Sequence, residues 1–174
     1  IELESSIGHV HISGSTSLFD LPYAFIKVAK PYLPRLFDQN MLAGKDTTQE
    51  FDYNIKLIND PSIVGLISDE IYWQDTLEIT GSVNTENKGF VLNLTPLNWN
   101  YGNYIFDSNQ ISVFPKSDSL MIDFSCSKFK ANEGLFLENF NINSILSNDS
   151  LSSKLTWFNK TSQADSGLID LLVY

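Results

Sequence analysis

From residue 50 onward, apolar and polar residues alternate with period two, the pattern of strands with one dry face and one wet face. Phe51, Tyr53, Ile55 and Leu57 stand opposite Asp52, Asn54 and Lys56, and Leu77, Ile79 and Val83 opposite Glu78, Thr80 and Ser82. Phe90, Leu92 and Leu94 oppose Asn93 and Thr95, while Leu120, Ile122, Phe124 and Cys126 oppose Asp123, Ser125 and Ser127. Phe136, Phe140 and Ile142 oppose Asn139, Asn141 and Asn143, and Leu151, Leu155 and Trp157 oppose Ser152, Lys154 and Thr156. Val10 to Gly14 and Leu168 to Tyr174 add a strand near each end. Turn-forming clusters separate these runs at Thr85 to Gly89, Pro115 to Ser119, Ala131 to Gly134, Ser147 to Ser150 and Ser162 to Gly167. Links this short join antiparallel neighbours, so the pattern predicts an all-β, mainly antiparallel meander of about eight to ten strands.

Residues 18 to 37 break the pattern: they are apolar, nearly free of Asn and Ser, and carry three prolines. Asp20 stands where a cap would, Pro22 in a first turn, and Phe25, Ile26, Ala29, Leu33 and Leu36 recur at helical spacing. Pro31 and Pro34 then interrupt the helix. The expectation is one structural unit: residues 1–50 as a short strand plus a proline-rich helical cover, and 51–174 as an amphipathic sheet. Asp118-Ser119-Leu120 and Asp149-Ser150-Leu151 each open a strand, consistent with a repeating two-strand unit.

Composition narrows the function. With 174 residues, 43% of them hydrophobic, the chain can build a core without disulfides or a structural metal. A net charge of -10 repels phosphate backbones, so nucleic acid is not an expected partner. Arg35 is the single arginine and Cys126 the single cysteine; the latter falls on an apolar strand side, where a buried, inert thiol is expected. Ile1 is not an initiator methionine, and no leader or long apolar run is present, so the chain reads as a piece of a longer protein.

Motifs for chemistry are missing: no phosphate loop, nucleophile elbow, zincin pair or EF-hand loop stands in the sequence. His9 and His11 form an H-x-H pair on one side of a strand, but no cluster supplies further ligands by spacing, so neither a metal nor a cofactor is expected. Acidic residues are scattered singly through turns and outward positions, and no catalytic residues are expected. The Asn-x-Ser/Thr sites at Asn93, Asn148 and Asn159 are what an Asn-, Ser- and Thr-rich chain produces by chance. Tyr72, Trp73, Trp99, Tyr101, Tyr104 and Trp157 present two options, a stacking platform for glycans or core packing.

A sheet with an apolar face must cover it with a second sheet, a helix, another chain or an apolar ligand. An acyl chain in water costs about 0.8 kcal/mol per exposed methylene, so a lipid path requires an unbroken apolar lining. Consecutive one-sided strands meet that requirement, and they equally meet that of a closed β-sandwich binding module for a glycan or protein ligand.

Short motifs favour the first option. Phe51-Asp-Tyr-Asn-Ile-Lys-Leu with Asp60-Pro61, Leu77-Glu-Ile-Thr-Gly-Ser-Val-Asn, Trp99-Asn-Tyr-Gly-Asn, Asp118-Ser-Leu, Gly134-Leu-Phe-Leu-Glu-Asn-Phe-Asn-Ile, Asn148-Asp-Ser-Leu and Leu155-Thr-Trp-Phe-Asn with Ser166-Gly167 resemble the translocation and assembly module (TamB-like) proteins of the AsmA-like group, as does Pro31-Tyr-Leu-Pro34 before them. The resemblance implies a β-taco, a curved sheet folded lengthwise into an apolar groove, in a periplasmic segment of a long envelope protein anchored in the inner membrane and reaching the outer one. It implies roles in phospholipid transport and outer-membrane protein assembly, with no catalytic residues. Phospholipid acyl chains and the rest of the parent chain are the implied partners, together with an outer-membrane β-barrel assembly protein engaged through regions absent here. On this reading Phe90, Leu92, Leu94, Ile122, Phe124, Phe136, Phe140, Ile142, Leu155 and Trp157 line the groove.

Overall fold

The computed structural model describes residues 1–37, 48–60, 70–74, 76–131, 134–159 and 165–173. Among the described residues eleven strands follow one another: β1 (Glu2–Ser5), β2 (Gly8–Ser15), β3 (Glu50–Ile58), β4 (Ile71–Trp73), β5 (Thr76–Asn84), β6 (Gly89–Tyr101), β7 (Tyr104–Lys116), β8 (Ser119–Ala131), β9 (Leu135–Ser147), β10 (Ser150–Asn159) and β11 (Asp165–Val173). A turn of 3-10 helix (Leu18–Asp20) leads into one helix, α1 (Leu21–Ala29), between β2 and β3.

The strands form a single antiparallel sheet in the order β1-β2-β3-β5-β6-β7-β8-β9-β10-β11, with β4 on β6. Because β1 and β11 stand at opposite ends of that order, the sheet is open and does not close into a barrel. The all-β antiparallel expectation holds. Three strands lie beyond the sequence reading. β1 hairpins onto β2 through Glu4↔His9 and Leu3↔Val10, β7 fills the gap between β6 and β8, and β4 pairs the far half of β6 while β5 pairs its near half. Thus β4 and β5 act as one long strand interrupted at Gln74.

Turn chemistry sets this register. Asn148 and Asp149 both take positive φ, 48° and 61°, the requirement of a two-residue type I′ hairpin, and connect Ser147 to its partner Ser150. Ser117 (φ 55°) sits in the equivalent β7–β8 turn, so both Asp-Ser-Leu steps leave a tight turn at the same end of the sheet. Gly102 (φ 55°) turns β6 into β7, joining Tyr101 to Tyr104. Pro61, Asn132, Glu133, residues 160–164 (with Lys160 and Thr161 of the third Asn-x-Thr site) and Tyr174, all parts of sequence expectations, lie outside the described residues.

α1 starts with Asp20 at its cap position and Pro22 in the first turn, as the sequence predicts, although the Asp20 carboxylate makes no cap bond to the helix. Ala24 and Val28 are fully buried against Ile12, Phe51, Tyr53 and Val83. The Phe25 ring meets Phe51, Tyr53 and Phe90 edge-on at centroid distances of 6.0–6.1 Å, so the helix seals the apolar face where β2, β3, β5 and β6 present it. After α1 the chain crosses to the β9–β10 turn. There Tyr32 is buried, its carbonyl accepts the Asp149 N–H at 3.0 Å, and the Arg35 N–H donates to the Asp149 carboxylate at 3.1 Å. Burial, with the Asp118 carboxylate second, raises the Tyr32 pKa. The segment therefore closes one rim of the sheet, and among the described elements the helix packs on β2, β3, β5 and β6, not on β7 to β11.

Candidate functional site: an apolar trough crossed by a polar seam

Cross-strand register places nine of the ten expected lining residues on one face. Leu94, Ile111, Phe124, Ile142, Leu155 and Ile169 are successive partners across β6 to β11, an apolar row spanning six strands. Alongside it run Leu92, Val113 and Ile122, continued by Ser144, Ser153 and Leu171, where the two hydroxyls pair with each other at 2.8 Å. Phe90 faces Val83 in the sealed end of the same face. Trp157 lies over Gly167 so closely that a Cβ there would collide with its ring.

Phe136 is the exception. It pairs with exposed Lys130 on the wet face, itself 41% exposed, and its neighbour Leu137 takes the inner position opposite Phe129. The cause is local: Asn139 adopts φ 48°, which breaks the alternation between Leu137 and Phe140 so that both point inward. The expectation for Phe136 came from carrying strict period two through this break.

The same break recurs in β6, β7 and β8, at one level, while β10 and β11 pair without interruption. In β8, Phe124 and Phe129 are an odd number apart yet share the face, since both contact Phe140. In β7, Ser108 (φ 47°) resets the phase, so Phe106 joins Ile111 and Val113 on the inner side. β6 shifts register between Leu94 and Trp99, and the β4–β5 interruption at Gln74 aligns with it through Gln74 N–H to the Asn98 carbonyl, 2.9 Å.

Small polar side chains hold the resulting seam. Asn98 Oδ1 accepts from the Ser108 N–H (2.8 Å), Ser127 Oγ donates to the Asp107 carbonyl (2.9 Å), and Cys126 Sγ reaches the Lys128 and Asp107 carbonyls. Asn139 Nδ2 donates to the Phe158 carbonyl at 3.0 Å. Buried Asn159 bridges β9, accepting the Glu138 N–H at 2.6 Å and donating to the Phe136 carbonyl at 3.2 Å. Each bond satisfies a backbone group that the interrupted ladder leaves over.

Beyond the seam the apolar face continues as an aromatic ladder. Trp99 stacks on Phe106 (4.4 Å), Phe106 meets Phe129 (4.9 Å), and Phe129 stacks on Phe140 (5.4 Å). Ile71, Trp73, Leu77, Leu94, Trp99 and Ile111, with buried Asn109, enclose a recess of about 190 Å³ beside this ladder. The six aromatics weighed as a glycan platform are divided: Tyr72 is exposed on the wet side of β4, whereas Trp73, next to it, is buried in the trough. Phe106, Val113, Phe129 and Leu137 were invisible to a strict alternation count. Their signal was the phase slip itself, which coincides with an Asn or Ser in each strand.

Titratable groups on this face are few. Burial pushes the Tyr53 hydroxyl up to about 12 and raises the Cys126 thiol. On the wet face the Asn54 amide bonded to Glu78 holds its carboxyl below the usual range, with Lys56 at 3.4 Å adding to the effect. No helix among the described residues is long and apolar enough to cross a membrane. The class defined by fold and site is an open antiparallel sheet with one mainly apolar face, crossed by a polar seam, and one mainly polar face. No protein-family model, curated protein or solved structure matches the chain.

Proposed function

We propose that this chain is a non-catalytic periplasmic segment of an envelope-spanning lipid-conduit and outer-membrane assembly protein, whose trough takes phospholipid acyl chains. The observation that carries the reading is the apolar row from Leu94 to Ile169, unbroken across six strands and covered by no other described element. From β5 to β11 the trough spans six strand spacings of about 4.8 Å, or about 29 Å. One leaflet of a bilayer core is about 15 Å deep, half of the ~30 Å total, so a full acyl chain fits along the lining. The buried indole nitrogens of Trp73 and Trp157 have no hydrogen-bond partner among the described residues, at a cost of about 1–3 kcal/mol each. The TamB-like motifs point the same way.

Native mass spectrometry of the purified chain with lipid extraction, beside titration with a fluorescent fatty acyl probe, tests this. Co-purified phospholipid, or probe binding lost in Ile142→Glu, is the expected result. A lipid-free, probe-inert monomer overturns the proposal.

A further inference from the structure

At the outer edge of the sheet, on the wet face, β1 and β2 bring together residues that sequence spacing leaves apart. Glu2 is the register partner of His11, and Glu4 of His9, so two carboxylates and two imidazoles occupy four neighbouring positions on one side of a hairpin. Cβ atoms of such directly opposed pairs stand about 4.5–5.5 Å apart. The ligand atoms of Glu2, Glu4 and His9 already lie within 4.8 Å of one another, and His9 Nε2 is 3.3 Å from Glu2 Oε1. Spacing along the chain had offered only the H-x-H pair; hairpin register supplies the carboxylates.

We propose that this edge binds a zinc-class divalent transition ion through Glu2, Glu4 and His9. Imidazole nitrogen with carboxylate oxygen is a donor set that selects Zn²⁺, Cu²⁺ or Ni²⁺ over Mg²⁺ and Ca²⁺, which take oxygen alone. The charges around it are compatible. Lys56, opposite His9 on β3, is turned to Glu78 at 3.4 Å, and Asn54 stands opposite His11. The ion would clip β1 to β2. β1 is a four-residue edge strand whose residues are all exposed and which pairs on one side, with β2.

The test is calorimetric titration of the untagged chain with ZnCl₂ alone, and separately with MgCl₂ and CaCl₂. Saturable 1:1 Zn²⁺ binding with no Mg²⁺ or Ca²⁺ heat is expected, weakened at least about tenfold by His9→Gln and by Glu4→Gln. These positions lie on the surface, and an unchanged circular dichroism spectrum verifies the fold of each variant. Hydrogen exchange of the β1 amides should slow on adding Zn²⁺ in the parent chain and not in His9→Gln. Zn²⁺ affinity unchanged by both substitutions, equal heats from Mg²⁺ and Zn²⁺, or no Zn²⁺ heat at all would overturn the proposal.

Discussion

Asn159→Ala probes the seam most directly. The Asn159 side chain is 7% exposed as a residue and serves two backbone groups of β9, the Glu138 N–H and the Phe136 carbonyl, flanking the break at Asn139. Alanine removes both partners without adding bulk. Each group left unmade costs about 1–3 kcal/mol, so with partial rescue by water the substitution should destabilise the chain by about 3 kcal/mol. For a chain of 150–250 residues that is a fall in Tm of about 6–12 °C, readable by circular dichroism. Hydrogen exchange should accelerate at Glu138 before it does at Phe124. Asn143→Ala is the matched control: its amide also donates at 2.9 Å, to Asp123, but on the exposed wet face, so its cost should stay within about 0.5 kcal/mol. If the two alanines cost the same, the seam is incidental and the reasoning that makes it structural fails.

Three further expectations follow from the same geometry. Gly167→Ala should cost about 1–3 kcal/mol and shift the fluorescence of Trp157 to longer wavelength, because the new methyl displaces its ring; an unaltered spectrum would contradict that packing. Tyr53, with its hydroxyl donating to the Val91 carbonyl at 2.9 Å and titrating near 12, holds its proton in the folded chain after the unfolded chain has lost it near 10. Its contribution is complete below pH 10 and falls away between about 10 and 12, by roughly 2–3 kcal/mol, so denaturant titrations should show parent and Tyr53→Phe converging across that window. Cys126, buried with a raised pKa, should resist alkylation at pH 8 until denaturant unfolds the sheet; fast labelling of the folded chain would refute this.

Much of this architecture was legible because one face of the sheet is dry. Alternation located β3, β5, β6, β8, β9 and β10, and the turn clusters marked the hairpins at Asn148 and Ser117. β7 escaped because Asp107-Ser108-Asn109 splits its alternation into two half-length windows of opposite phase, neither long enough to count alone. Phe136 was misassigned for the same reason, a single left-handed residue three positions later. β1 was hidden by its own shortness, and the Glu2–His9 cluster by the fact that register, not spacing, creates it. Local pattern reports which way a side chain points relative to its neighbours; where the backbone resets that phase, only pairing with another strand restores the information.

The seam also separates two dimensions of the molecule. Hairpins added along the hydrogen-bonding direction lengthen the trough by about 9.6 Å apiece, two strand spacings, and leave its cross-section untouched. The cross-section depends instead on how far along β6 to β9 the Asn- or Ser-marked break falls. A sequence can therefore vary the reach of such a trough by copying units, as the paired Asp-Ser-Leu steps suggest, and vary its width by moving one polar residue within each copy.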